Sequence, residues 1–246
     1  MLRLVTFNIE YGEHVERAAR EIRSDAELSL ADVVTVQEVS GRETEVLAAR
    51  LGMQFVYYPA TLRDDDEFGN AVLSRFPIVS DWKLVLPHEP WFGGGVRIAV
   101  GAELERGRTG FVVYSVHNET FISSPGVRLD QVRAILRDAE RWSLPTVVAG
   151  DFNTMDRYSR ERTVHTFSLA GFTEATRGVG VTAYQLGGFL GAPLDHVFVR
   201  GFAPKRAGTR PTRASDHRPV YVELALPAAG REASAPALGG GGRTEP

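Results

Sequence analysis

The 246-residue chain is 43% hydrophobic and 24% charged, a balance that suits one globular domain able to bury a large core without covalent staples. It has no cysteine, which excludes disulfides, thiolate zinc sites and thiol nucleophiles. Its net charge of −3 gives no support to broad, sequence-independent nucleic-acid binding, because such binding rests on a basic excess.

Residues 2–9 read as a strand, but the apolar run is too short for a signal peptide and ends at once in Asn8 and Glu10. Val15, Ala18, Ala19 and Ile22 share one helical stripe and predict a helix over 14–28. Strands follow at 32–37, 54–58, 70–74, 97–104 and 110–116, with a short helix at 43–51. A longer helix over 126–142 carries Val132, Ile135, Leu136 and Ala139 on one side, with Ser124 as its cap and Pro125 as its first residue. A strand at 145–149, a helix at 158–169 and strands at 195–199 and 219–226 complete the pattern. Strands mixed with helices in this proportion indicate an α/β or α+β sandwich. Residues 1–226 read as one domain. Residues 227–246, rich in Ala, Gly and Pro, read as a flexible tail that cannot offset its ordering entropy. No stretch approaches the ~20 apolar residues of a membrane span, so the expectation is a cytoplasmic monomer.

Polar side chains gather where the apolar strands stop. Asn8, Glu38, His117 and Asp151 with Asn153 follow four strands, whereas Asp195 and Asp216-His217 precede two others. If they meet at one rim, the two sets of strands run in opposite directions. The sheets are then mixed, unlike a parallel doubly wound fold. Singly, each residue reads equally well as a turn, a strand end or a helix cap. Their recurrence at strand after strand favours a site.

The donor types are Asn, Glu and Asp, hard oxygen ligands that suit Mg²⁺ or Mn²⁺, one or two ions, better than zinc. The six histidines form no zinc spacing, and His14, His88 and His165 read as surface or capping residues. Gly69-Asn70 is followed by Ala71-Val72, which departs from a calcineurin-type dinuclear phosphatase. No dinucleotide or phosphate-loop motif is present.

In order, the chain contains Thr6-Phe7-Asn8, Gln37-Glu38-Val39, Gly69-Asn70-Ala71-Val72-Leu73-Ser74-Arg75, Val116-His117, Gly150-Asp151-Phe152-Asn153-Thr154, Leu194-Asp195-His196-Val197 and Ser215-Asp216-His217-Arg218-Pro219. This series resembles the endonuclease/exonuclease/phosphatase superfamily, the fold of deoxyribonuclease I, over residues 1 to about 226. The resemblance implies a four-layer sandwich of two packed mixed or antiparallel sheets flanked by helices. It also implies a metal-dependent hydrolase of phosphate esters. By similarity Glu38 is the main metal ligand, with Asn8 and Asp216 close by. Asp151 and Asn153 position and activate the attacking water. His217, oriented by Asp195, contacts the phosphate, His117 is a second imidazole and a candidate general acid, and Asn70 and Arg97 line the substrate groove. The chemistry is coherent on its own terms: in-line attack needs an activated water, neutralised charge and help for the leaving oxygen.

The substrate class stays open among nucleic acid, phospholipid or inositol phosphate, and small phosphodiesters; a non-catalytic binding member of the same fold is the alternative. Asp64-Asp65-Asp66-Glu67 would repel a long polyanion if it faced the groove. Lys205, Arg206, Arg210 and Arg213 are an acid-free cluster that would form a local basic cleft. Trp91-Phe92-Gly93-Gly94-Gly95 suits stacking or edge packing, and Arg128 with Gln131 suits packing or phosphate contact. Relatives often have His-Leu where this chain has His117-Asn118-Glu119-Thr120. A similar polar segment occurs in the tyrosyl-DNA phosphodiesterase branch.

Overall fold

The strands richest in β-branched residues are covered on both faces. β1 (Leu2–Asn8), β2 (Val33–Val39), β7 (Thr109–His117), β8 (Thr146–Asp151) and β12 (Asp195–Arg200) are buried along most of their length. In the computed structural model, which describes residues 1–63, 66–88, 96–120, 122–185 and 190–226, they form the inner strands of two six-stranded sheets. The first sheet runs β13 (Ala203–Thr209), β14 (Val220–Ala225), β1, β2, β4 (Asp66–Ser74), β3 (Gln54–Arg63). The second runs β5 (Ile78–Val85), β6 (Ile98–Arg106), β7, β8, β12, β9 (Thr173–Glu174). β1–β2 and β7–β8 pair in parallel, and the other neighbours are antiparallel. The mixed strand directions expected from the placement of polar residues are therefore present. A small hairpin of β10 (Ala183–Gln185) and β11 (Leu190–Ala192) stands beside the second sheet's end.

Leu4, Val33, Val72, Val100, Val113, Val147, Val197 and Val222 fill the space between the sheets. Helices α1 (Val15–Ser24) and α2 (Gly41–Leu51) cover the first sheet through Ala18, Ala19, Ile22 and Leu47. On the second sheet α3 (Pro125–Ala139) and α4 (Arg157–Leu169) do the same through Val132, Ile135 and Phe167. Each large side chain so buried contributes about 1.5–3 kcal/mol. The result is the expected four-layer sandwich.

Helix ends follow local chemistry. Ser124 caps α3 and Pro125 opens it, as the sequence indicates; α2 starts with a reciprocal Ser40–Glu43 capping box. α1 stops at Ser24, short of the expected end at 28. Asp25 turns extended, and its carboxylate accepts the N–H groups of Glu27 and Leu28 instead of extending the helix. Strands β5 and β13 escape sequence reading because edge strands need no continuous apolar run: β5 alternates half-buried and exposed residues, and β13 is mostly exposed.

Among the described residues no helix is long and apolar enough to cross a membrane. Asp64 and Asp65 of the acidic run, the Trp91–Gly95 segment and residues 227–246 lie outside the described residues.

One polar seam crosses the apolar interior. Gln37 Nε2 donates to Ser115 Oγ at 2.9 Å, and Ser115 Oγ donates back across the sheets to the Val36 carbonyl at 3.0 Å. Thr6 Oγ1 donates to Gln37 Oε1 at 3.4 Å. Asn70 Nδ2 reaches the carbonyls of Ile98 and Ser115 at 3.0 and 3.3 Å. These buried bonds tie the sheets at the end where the candidate site residues emerge, and they fix the register of one sheet on the other.

Gly150 permits the tightest approach there. Its φ is 149°, and a Cβ on it would fall 1.9 Å from the Val116 carbonyl oxygen of the parallel neighbour. Gly150→Ala is expected to cost about 3 kcal/mol or more, because the obstacle is backbone and cannot rotate away. Chemical denaturation would check this. An unchanged midpoint would contradict the packing described.

Candidate active site

Register brings the candidate residues together. Asp151 ends β8, with His117 opposite it on β7 and Asp195 opposite it on β12. On the first sheet Asn8 ends β1 beside Gln37. β2 then bulges between Gln37 and Val39, and the residue in the bulge, Glu38, has φ 58°. An extra residue in a strand re-aims its side chain. Here it turns Glu38 toward the seam. A non-glycine residue in that region costs roughly 1–2 kcal/mol, strain that concentrates at functional positions.

Asn8 spans the two sheets. Its Nδ2 donates to Glu38 Oε1 at 3.0 Å and to Asp151 Oδ2 at 3.2 Å. The same Asp151 oxygen lies 3.7 Å from Nε2 of both His117 and His217, and His117 Nε2 is 3.7 Å from Glu38 Oε1. These gaps exceed hydrogen-bond length, so neither Nε2 is consumed by a carboxylate. Asp151 Oδ1 accepts the N–H of Asn153 at 2.8 Å; Asn153 has φ 52°, and its Nδ2 donates to the Asn118 carbonyl at 3.1 Å.

His217 is held from behind by Asp195, with Nδ1 2.9 Å from Oδ2 of a carboxylate fully shielded from solvent. Burial opposes its charge, but Asp195 and then Asp151 outweigh it and raise His217 to about 10. His117 goes the opposite way. Burial, then the charges of Arg97 and His217, push it well below the ordinary histidine value. Arg97 Nη1 lies 3.3 and 3.2 Å from its two ring nitrogens, and Arg97 Nη2 is in turn 3.4 Å from Glu119 Oε1. Among the described residues no carboxylate hydrogen-bonds His117 Nδ1; an arginine anchored on Glu119 faces the ring instead. Asp151 rises to about 7, chiefly through burial, with Asp195 and Glu38 adding repulsion against His217. Glu38 is also raised by burial.

Asp216 is half-buried at the rim. Its N–H donates to Glu10 Oε2 at 3.0 Å, and Ser215 Oγ donates to the Asn8 carbonyl at 2.8 Å while accepting the N–H of His217. Glu10, which sequence reasoning passed over, thereby pins the Asp216 turn, and burial raises its own carboxyl. Its spacing two residues after Asn8 was the available signal.

Several expectations resolve differently. Asn70 is 1% exposed and its amide nitrogen is used inside the seam, so that donor does not line a groove. Arg128 donates to the carbonyls of Thr120 and Ser123, and Gln131 bridges the Glu119 N–H to the Pro87 carbonyl; both shape the loop after His117. Two residues of the basic cluster are paired: Arg206 with Glu27 at 2.8 Å and Arg210 with Asp25 at 3.2 Å. Those acids, distant in sequence, follow the end of α1. Sequence reasoning also missed a prop under the Asp151–Asn153 loop: Arg160 holds Glu174, Glu174 Oε1 meets His196 Nδ1 at 3.1 Å, and His196 Nε2 meets Thr154 Oγ1 at 2.8 Å.

Burial opposes ionisation of Glu38, a cost that a bound cation would offset, and the donor types of Glu38, Asn8 and Asp216 fit a hard divalent cation. Among the described residues no trio of acidic or imidazole side chains stands close enough to enclose an ion by itself.

Residues 5–217 match the sequence profile described as "Endonuclease/Exonuclease/phosphatase family", and the chain belongs to that family. The family comprises hydrolases of phosphate esters that generally use divalent metals. The chain is similar to a UPF0294 protein of Vibrio vulnificus (strain YJ016), 32% identical over 117 residues. That match covers 47% of this chain and 40% of the relative, so it spans well under two thirds of the relative's length. In fold it is similar to an endonuclease/exonuclease/phosphatase family protein from Leptotrichia buccalis, at TM-score 0.74 and 17% identity, covering 92% of this chain and all of that one. A mannosyl-6-phosphatase from Bacteroides thetaiotaomicron aligns at TM-score 0.71 and 18% identity, again over 92% of this chain and all of that one.

The shift of Asp151 has a consequence for the metal-free protein. A carboxyl raised in the fold adds stability while protonated, and loses it as pH climbs through about 7. His217 stays cationic over this range. Asp151→Asn is therefore expected to melt above the wild type at pH 9 in chelator, and by a smaller margin at pH 5, inside the window from the ordinary value of 3.8 to about 7 over which the wild type loses this stability. Melting curves at the two pH values would show it. A lower melting temperature for the variant at pH 9 would refute the assignment.

Proposed function

We propose that this protein hydrolyses phosphate esters by in-line attack of a water molecule, with residues 1–226 carrying the activity. The observation that supports the reading best is the opposed tuning of two imidazoles around one carboxylate. His217 is driven up to about 10 and His117 well below its ordinary value, while Asp151 between them rises to about 7. Environments that push titratable groups apart in this way allot acid and base roles. Asp151 accepts the proton of the attacking water, its carboxyl being matched to neutral pH. Asn153, bonded through its own N–H to Asp151, keeps that carboxylate aimed.

His217 is the fixed cation. Held by Asp195, it stabilises the charge that develops on the phosphate oxygens and protonates the leaving oxygen more readily than His117. His117, neutral at physiological pH, donates an N–H to the phosphate. This departs from the general-acid role that the resemblance implies, for a physical reason: burial beside Arg97 disfavours its cation. Arg97, anchored by Glu119, adds positive charge at the same edge. Glu38, Asn8 and Asp216 would hold a divalent cation, Mg²⁺ or Mn²⁺, which when bound supplies Lewis acidity and a template for the phosphate.

A small or local ester fits better than a long polyanion, since two of the four basic residues of the cluster, Arg206 and Arg210, are already paired with Glu27 and Asp25. A small substrate is also compatible with the mannosyl-6-phosphatase of Bacteroides thetaiotaomicron that shares the fold.

Hydrolysis of bis(p-nitrophenyl) phosphate with Mg²⁺ or Mn²⁺ tests the proposal. Chelator is expected to abolish it, and Asp151→Ala or His217→Ala to lower kcat about 100- to 10,000-fold. Glu38→Ala should weaken the response to added metal. Full turnover in chelator, or in the Asp151 variant, would refute the mechanism. A protein that binds metal yet turns over no ester would be a binding scaffold instead.

A further inference from the structure

Strand β12 serves two imidazole–carboxylate pairs, one on each face of the second sheet. Successive residues of a strand point to opposite faces. Asp195 opposes Asp151 in register and holds His217, whereas His196, the next residue, opposes Gly150 and turns to the face covered by helices. There its ring lies beside Phe152 and Phe198, with centroids 5.9 Å from each, in the layer that α3 and α4 close. Glu174, on the short edge strand β9, places Oε1 3.1 Å from His196 Nδ1, and Arg160 of α4 reaches the same oxygen at 3.0 Å. Burial opposes ionisation of Glu174, yet the bond and charge of His196, then those of Arg160, hold its carboxyl below the ordinary value.

An imidazole in an aromatic cluster costs more than an apolar ring would, unless both of its nitrogens are bonded. The second nitrogen is the informative one. His196 Nε2 lies 2.8 Å from Thr154 Oγ1, which donates to the Pro193 carbonyl at 3.1 Å. Both residues are buried. Thr154 directly follows Asn153, a non-glycine residue at φ 52°, whose N–H donates to Asp151 Oδ1 at 2.8 Å. A residue in that region relaxes unless its neighbours hold it. On one side the Phe152 N–H is fixed to the Leu194 carbonyl at 2.9 Å. On the other side the side-chain fastening is Thr154, and it ends on His196. A packing role would need only a ring, and phenylalanine would fill it.

We propose that His196, backed by Glu174, is a positioning residue that acts through Thr154. It holds Asn153 in its left-handed turn and so keeps the Asp151 carboxylate aimed at the attacking water. The inference rests on the phosphate-ester reading and adds to it a residue one remove from the reacting atoms.

Two variants break the tie from opposite ends. His196→Phe keeps a ring beside Phe152 and Phe198, and Thr154→Val keeps the side-chain shape while uncovering no charge. Amide hydrogen exchange reads the geometry without turnover. In both variants the Asn153 N–H is expected to lose about tenfold or more of its protection, while Val147 and Val148 within β8 exchange as in the wild type. With bis(p-nitrophenyl) phosphate and Mg²⁺, each variant is expected to lower kcat about tenfold or more and to leave KM within about threefold, because a misplaced group costs the chemical step rather than binding. The double variant should be no slower than the slower single one, since both changes remove one contact. His196→Gln, whose amide can meet Thr154 in place of Nε2, should recover most of kcat. Unchanged Asn153 protection in Thr154→Val, wild-type kcat in both single variants, or additive losses in the double variant overturn the positioning role. A wild type that hydrolyses no phosphodiester overturns the catalytic reading instead, and exchange at Asn153 still decides whether His196 holds the turn.

Discussion

Glu38 and Asp151 sit on facing sheets, both buried, and a single amide, that of Asn8, is hydrogen-bonded to the two of them. Two carboxylates drawn out of water and set this close repel each other and resist ionisation. Much of the surrounding architecture answers that constraint. Asp195 behind His217 keeps one imidazole cationic, and Glu119 anchors Arg97 against the other. Charges of alternating sign thus run outward from Asp151 along the second sheet, whereas the Glu38 side keeps an excess of oxygen donors. In the proposed reading, this asymmetry gives one side suited to an anion and another suited to a cation. Hydrolysis of a phosphate ester with a divalent ion calls for that division.

Rigid strands carry this arrangement, and its irregularities are few. Of the five non-glycine residues with positive φ among those described, Glu38 and Asn153 belong to the site and Glu10 pins the Asp216 turn. Each turns a side chain where regular strand alternation would not. The polar seam of Thr6, Gln37, Ser115 and Asn70 keeps the sheets from sliding, so the strain stays local and the distance from Glu38 to Asp151 is held. The Arg160–Glu174–His196–Thr154 chain plays the same part beneath the Asp151 loop.

Much of this was legible in the residue order. Apolar runs ending in Asn8, Glu38, His117 and Asp151, against runs beginning at Asp195 and following His217, required strands of opposite direction, and β12 and β14 do run antiparallel to β8 and β1. Edge strands β5 and β13 left no such trace, because a strand with one open side needs no continuous apolar pattern. The pairing of Arg206 and Arg210 was hidden for a related reason: their acids, Glu27 and Asp25, are far away in sequence. The Asn70 amide nitrogen is bonded inside the seam, a placement that sheet packing decides.

Sequence by itself determined the donor set, hard oxygens with two imidazoles and no thiol, since composition and strand endings depend on residue identity alone. It also determined the sandwich, since burial on both faces of so many strands demands layers on either side. Tertiary structure decided how those donors are tuned. His117 and His217 are the same residue type, yet one is held neutral by burial beside Arg97 and the other charged by Asp195. Protonation in a buried site depends on which charges lie within a few ångströms, and those neighbours come from strands that only folding brings together.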